Sequence, residues 1–380
     1  MPNFSGIWNL KEQVQAVAAG RWTGLPTGEV YAWGDNSPNG QLGDGTVVDR
    51  SSPVQVGSLN YWLQVSAGTN HTASITTNNA IYVWGRNNSG QLGDGSVVSK
   101  SSPVQVGALT NWSQVSAGAN HTASIKTDGT LWTWGQNGNG ELGNGTTAYR
   151  SSPVQVGALT NWSQISAGSN HTTSIKTDGT LWTWGSNFSG QLGDGTTINK
   201  SSPVQVGALT NWSQISAGYH TAAVKTDGTL WTWGANSDGR LGDNTTTNRS
   251  SPVQVGALTN WAQVSAGANH TASVTTSGEL YAWGDNGQGR LGDGTVINKS
   301  SPIQVGVLTN WSQVSAGSFH TSSAKLDGTL WSWGRGNNGQ LGDGTSSSRS
   351  SPVQVGALTN WSEVSAGGTH TIAILQGSTN

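Results

Sequence analysis

Seven histidines, His71, His121, His171, His220, His270, His320 and His370, recur at one spacing, each just after an Ala-Gly pair and just before Thr. Imidazoles are common metal ligands and proton carriers near neutral pH. A metal centre needs several of them converging at about 2.1 Å on one ion, whereas one per repeated unit spreads them around the molecule. The residues favour an imidazole hydrogen-bonded to a neighbouring backbone group or threonine hydroxyl. A second recurrence, Leu-Gly followed by an acid, supplies Asp44, Asp94, Asp194, Asp243, Asp293 and Asp343, with Asn144 in that place in the third unit. One carboxylate per loop is a poor calcium cage, and turn capping by the side chain accounts for Asp and Asn alike. A catalytic constellation must be singular. Here every candidate Ser, Asp and His is repeated, so the chain reads as non-enzymatic, with no catalytic residue, no metal site and no cofactor.

Two sets of residues could bind rather than react. Arg50, Lys100, Arg150, Lys200, Arg249, Lys299 and Arg349 each precede Ser-Ser-Pro and make up seven of the 17 basic residues. In a closed array they form a ring able to touch anionic surface glycans at several points. The plainer alternative is a solvated loop end paired with the nearby Asp, worth under about 1 kcal/mol. Four aromatics, Tyr149, Phe188, Tyr219 and Phe319, break the repeat and are candidate binding anchors. The 20 Trp fall almost entirely on repeated positions, which points to packing between units, with carbohydrate stacking as the rival use.

The positioning elements are legible because the chain repeats. Trp-Gly recurs at Trp33, Trp84, Trp134, Trp184, Trp233, Trp283 and Trp333, at intervals of 49 to 51 residues. In the third unit four short strands are expected: Trp112–Ala117, His121–Lys126, Leu131–Trp134 and Pro153–Val156. Thr127-Asp128-Gly129-Thr130 reads as a two-residue type I′ hairpin turn. Four short strands per unit of about 50 residues are the pattern of a propeller blade. The fold expected is therefore all-β, a closed seven-bladed propeller of four-stranded blades over 25–375, with 376–380 as a tail. Val30–Trp33 lacks a His strand before it and His370–Leu375 lacks a Trp-Gly strand after it, so pairing the two would remove both edges.

Composition narrows the function classes. Charged residues are 9% of the 380, net charge is −2, and Gly numbers 55. That balance is far from a nucleic-acid binder's basic footprint, and no apolar run approaches the length of a membrane span. Cys is absent, which excludes disulfides and thiolate chemistry. The first residues show neither the basic start nor the apolar run of a secretory signal.

Trp84–Gly93, reading Trp-Gly-x-Asn-x-x-Gly-Gln-Leu-Gly, together with Ala117–Thr122, reading Ala-Gly-x-x-His-Thr, resembles the repeat of the regulator of chromosome condensation family. The resemblance spans roughly residues 25–375 and implies a seven-bladed propeller. Members of that family include a chromatin-bound nucleotide-exchange factor for a small nuclear GTPase. Two departures count against that activity. The stretch Met1–Gly24 carries only Lys11 and Arg21 in place of a basic tail, and no unit holds a long acidic insertion.

Residues 1–24 belong to no unit. Phe4–Leu10 with Gln13–Trp22 is similar to a short leader on structural proteins of marine bacteriophages. Asn9 as cap, Glu12 at the capping-box position and Gly20 as stop describe a helix. Leu10, Val14 and Val17 then share a face, flanked by Trp8 and Trp22. The alternative takes Val14–Gly20 as a degenerate strand copy. The expectation is a structural or binding component of a bacteriophage virion, as a tail or capsid appendage. Residues 1–24, through Trp8, Leu10, Val14 and Val17, would attach to other virion proteins, and the propeller would touch a host-surface glycan or protein. The resemblance leaves oligomerisation open, and a cytoplasmic protein-interaction scaffold or, less favoured, a guanine-nucleotide exchange factor stand as the alternatives.

Overall fold

Residues 28–377 are described by the structure, a computed structural model. The segment 1–24, with its expected helix and attachment face at Trp8, Leu10, Val14 and Val17, lies outside them. The described residues form twenty-eight strands, numbered β1 to β28 in chain order, in seven four-stranded antiparallel sheets. In one blade the order from the axis outward is β7 (Trp112–Ala117), β8 (His121–Lys126), β9 (Leu131–Gly135) and β10 (Arg150–Gln155).

Local sequence explains each strand's place. In β7 a register shift between Trp112 and Gln114 puts Trp112 and Val115 into the blade and leaves Gln114 and Ser116 half-buried, where they reach the next blade. All six residues of β8 are buried, because this strand is covered by a neighbouring blade on each face. The turn after β8 differs from the two-residue type I′ expected. Lys126 N–H donates to Thr130 O at 2.9 Å and Gly129 N–H to Lys126 O at 2.9 Å, and only Gly129, at φ 77°, is left-handed. This is a three-residue loop with a glycine bulge, and Asp128 Oδ1 closes it by accepting the Thr130 N–H.

Closure follows the expected pairing. The closing blade is ordered β2 (Arg50–Gln55), β1 (Gly28–Gly34), β28 (His370–Gln376), β27 (Trp361–Ala366). Val30 sits opposite Ile374 and Trp33 opposite Thr371, so the two ends of the described chain share one sheet.

The inner strands leave one flank uncovered, and side chains of the preceding blade fill it. Ala117 N–H donates to Ser66 Oγ at 2.9 Å and Val115 N–H to Gln64 Oε1 at 3.0 Å. The serine contact recurs at all seven junctions, through Ala67 N–H to Ser365 Oγ where the ring closes. Antiparallel order puts the Ala-Gly to His connections and the long loops from Trp-Gly to the basic residue on one face, the loop face. The Asp-Gly turns and the linkers between blades make the opposite, hairpin face.

Deleting residues 369–380 removes a central strand of the closing blade, so the truncated protein is expected to lose its single cooperative melting transition. Circular dichroism against temperature checks this, and a truncated chain melting like the parent would contradict the closure.

Candidate interaction face

The loop face is held from beneath by contacts that pass from blade to blade. Each imidazole meets a threonine of the next blade, His71 Nε2 to Thr122 Oγ1 at 3.0 Å, and so on to His370 with Thr72 at 3.0 Å. The threonine hydroxyl is already donating to a carbonyl, as Thr122 does to Gln91 O at 2.8 Å. It therefore accepts from the histidine, which fixes a neutral ring with its proton on Nε2. Burial pushes His71, His171 and His320 down to about 3, and His121 and His370 to about 4. Burial also holds His220 and His270 well below the ordinary value, and the guanidinium groups of Arg240 and Arg290 respectively add to the effect. The threonine partner was foreseeable from the Thr that follows each His. That it belongs to the next blade was not.

Tryptophan makes the second lock. Trp134 is fully buried, and its Nε1 donates to Gln91 O of the preceding blade at 2.9 Å. Its ring lies against Gly93, where a Cβ would come within 2.6 Å of Nε1. Leu92, Trp112 and Trp134 then join residues of two blades in one apolar cluster. The expectation of packing between units is met by these rings. The tryptophans nearer the hairpin face are partly covered by cations: Lys126 Nζ stands 4.0 Å from the centroid of Trp132 and 4.8 Å from that of Trp112. The pairing is systematic, since Lys126, Lys176, Lys225 and Lys325 face Trp132, Trp182, Trp231 and Trp331. Where Thr76 or Thr275 replaces the lysine, Tyr82 or Tyr281 replaces the tryptophan. One face of each such indole is thus already occupied by a cation.

Above these locks six of the seven loops are built around a buried asparagine that the sequence reading passed over, and the seventh carries Gly336 in its place. Asn87 Oδ1 accepts from Leu92 N–H at 2.9 Å, while Nδ2 donates to Ser96 O at 3.1 Å and Val98 O at 3.2 Å. The following Asp caps its own turn, Asp94 Oδ1 accepting from Ser96 N–H at 2.9 Å. The other carboxylate oxygen takes the ring cation. Arg50 pairs with Asp44 at 2.9 Å, Arg249 with Asp243 at 2.8 Å and Arg349 with Asp343 at 2.8 Å. Lys100, Lys200 and Lys299 lie looser on Asp94, Asp194 and Asp293, at 3.9, 3.6 and 3.7 Å. Arg150 is the exception: the acid is Asn144, and Arg150 has no ion-pair partner among the described residues. The ring of basic residues exists in space, but six of its seven members are neutralised on the spot.

The four repeat-breaking aromatics come from loops on this one face. Phe188 is 72% exposed, Tyr149 53% and Tyr219 47%. Phe319 is half-buried, lying 5.6 Å from Arg290 and 5.1 Å from Arg335. Val47, Val48, Val97, Val98, Ile198, Val296 and Ile297 are also exposed, each just before a ring cation.

Residues 4–258 and, overlapping them, 161–379 match the family model described as RCC1-like domain. The chain belongs to the RCC1-like domain family. A 61-residue stretch is 43% identical to the Arabidopsis thaliana ultraviolet-B receptor UVR8, covering 16% of this chain and 14% of the receptor. Among solved structures, Prp20p of Saccharomyces cerevisiae superposes with a TM-score of 0.84 at 20% identity, over 94% of this chain and 93% of that one. Human WBSCR16 gives 0.83 at 20% identity, over 93% and 100%. Those two likenesses concern the fold. On the loop face of this RCC1-like propeller, departures from sevenfold regularity include Asn144, which leaves Arg150 without an acid, and the exposed aromatics.

Three outcomes follow from these buried groups. The histidines bind protons when unfolded, near 6.5, and resist them when folded, so their contribution is complete above pH 6.5 and is lost as pH falls toward 4. The melting temperature is expected to be level above pH 7 and to fall steeply between pH 6 and 4. Thr122→Val, which strands the buried His71 N–H, is expected to cost about 1–3 kcal/mol at pH 7.5 in urea unfolding. At Glu363, where the other inner strands carry glutamine, burial pushes the carboxyl up to about 8 while Val65 N–H of the next blade donates to it. An acid with a raised folded value loses stability as pH rises above its unfolded value near 4.3. Glu363→Gln is therefore expected to raise the melting temperature, and more at pH 8.5 than at pH 5.

Proposed function

We propose that this RCC1-like propeller is a non-enzymatic interaction scaffold that binds another protein through its loop face. The observation that carries the reading is the exposure of large apolar and aromatic side chains, Phe188, Tyr149, Val97, Val98 and Ile198 foremost, on loops whose backbones are fixed by buried asparagines. Side chains presented rigidly lose little entropy on docking, and aromatic and arginine residues are the usual anchors of protein interfaces. On the hairpin face the exposed leucines Leu109, Leu159, Leu209, Leu258, Leu308 and Leu358 recur from blade to blade, and the single-blade additions are two, Val307 and Leu326, against the larger set on the loop face. Family membership favours a scaffold over a virion appendage, whose support lies in residues 1–24, outside the described residues. Nucleotide exchange on a GTPase is a narrower form of the same reading.

The test uses immobilised full-length chain and quantitative mass spectrometry of what it retains. A specific protein held by the wild type should fall at least tenfold with Val97→Ser, Val98→Ser and Phe188→Ser combined. It should persist with Leu109→Ser and Leu159→Ser on the other face. The reverse pattern would move the interface to the hairpin face, and equal retention by both would end the reading.

A further inference from the structure

The six neutralised junctions define what the seventh lacks. In each of them one Asp oxygen caps the turn and the other meets a cation: Asp243 Oδ1 accepts from Thr245 N–H at 3.1 Å while Oδ2 takes Arg249 Nε at 2.8 Å. In the third blade Asn144 Oδ1 keeps the first task, accepting from Thr146 N–H at 3.1 Å and Thr146 Oγ1 at 2.8 Å. That fixes the amide's orientation, because the nitrogen in this place would set donor against donor. The position that holds Oδ2 elsewhere is therefore an NH2 group. A donor and acceptor pair has become two donors, the Asn144 amide and the Arg150 guanidinium, with no acceptor between them.

The neighbourhood supplies none. Glu141, also unique among the repeats, is fully buried and spends its oxygens on Asn139 N–H at 2.9 Å, Asn139 Nδ2 at 3.0 Å and Gln136 Nε2 at 3.3 Å. Arg150 is exposed, unlike its six half-buried counterparts, and beside it Tyr149 presents its ring to solvent, with its hydroxyl end over Gly138. A guanidinium fork with an empty bidentate side suits a planar carboxylate, and the adjacent ring suits an apolar neighbour of that acid.

We infer that Asn144, Arg150 and Tyr149 form a carboxylate-recognition site that takes an aspartate or glutamate side chain, next to an apolar residue, from an acidic segment of a partner protein. The inference rests on the scaffold reading and names the chemistry that the loop face selects. Charge complementarity sets the occupant: the other six ring cations are already satisfied by their own acids, and a partner's carboxylate gains nothing there.

The six Asp-containing blades provide the control, since Asn144→Asp recreates a loop that this fold already builds six times. The probe is a fluorescein-labelled peptide of alternating glutamate and leucine, with its glutamine counterpart, titrated with the full chain by fluorescence anisotropy at low and at physiological salt. Wild type is expected to bind the glutamate peptide and not the glutamine peptide, more weakly as salt rises. Asn144→Asp and Arg150→Gln should each lose at least tenfold in affinity with unchanged melting temperature. Asp194→Asn, which frees Lys200, should keep the first site and add a second. Equal affinity of Asn144→Asp and wild type overturns the site, as does equal binding of the two peptides or none by the wild type. A phosphoserine peptide binding at least tenfold tighter overturns the choice of carboxylate. A concentration-dependent dimer abolished by Asn144→Asp overturns the choice of a foreign partner in favour of a second copy. Loss of peptide with Val97→Ser and Val98→Ser, while Arg150→Gln binds normally, overturns this site and leaves the interaction face standing.

Discussion

Seven inner strands face one another around the axis, and each presents backbone donors with no strand to receive them. Bare strand edges are costly when buried and adhesive when exposed. Here a serine of every blade is handed forward to the next blade's Ala N–H, and at four junctions a glutamine is handed forward to the next blade's Val N–H. A side chain can reach its neighbour only if the blades keep one angular step, so this belt ties every blade to a common geometry. The histidine and threonine contacts repeat the arrangement one layer out, and the tryptophan against glycine contact repeats it again. All three run in rings, and none can be completed by fewer than seven units.

That dependence explains where variation appears. The strand interiors and the belt are held by neighbours on each side, and their residues scarcely change between units. Loop-face positions above Asn87 and its equivalents carry no such obligation. The same face therefore holds Phe188, Tyr149 and the change from Asp to Asn at position 144. Rigidity beneath and freedom above are the conditions under which a repeated fold acquires one distinctive patch.

Much of this was legible in the residues. The spacing of Trp-Gly gave blade number, and the unmatched strands Val30–Trp33 and His370–Leu375 gave the closure. The Asp-Gly turn was located but mistyped, because the sequence pair alone does not distinguish two left-handed residues from one, and Gly129 alone adopts that conformation. Asn144 was grouped with six aspartates since capping treats the two side chains alike. The difference lies in the second oxygen, and only a structure shows that this atom faces a cation. Glu363 carried no sequence signal either, because only the structure shows the burial that gives its charge a cost.

The closing blade also imposes an order in time. Its first strand in sequence is made before the strand that must lie beside it, His370–Gln376, and the other twenty-six strands come between the two. At about 5–20 residues per second, the interval between them lasts tens of seconds. Throughout it the nascent protein is an open arc with a free edge at each end, and its inner belt is unfinished. A ring of this design stays adhesive until its last strand is made, and during that window the partner each end is shaped to meet also exists on every other nascent copy nearby.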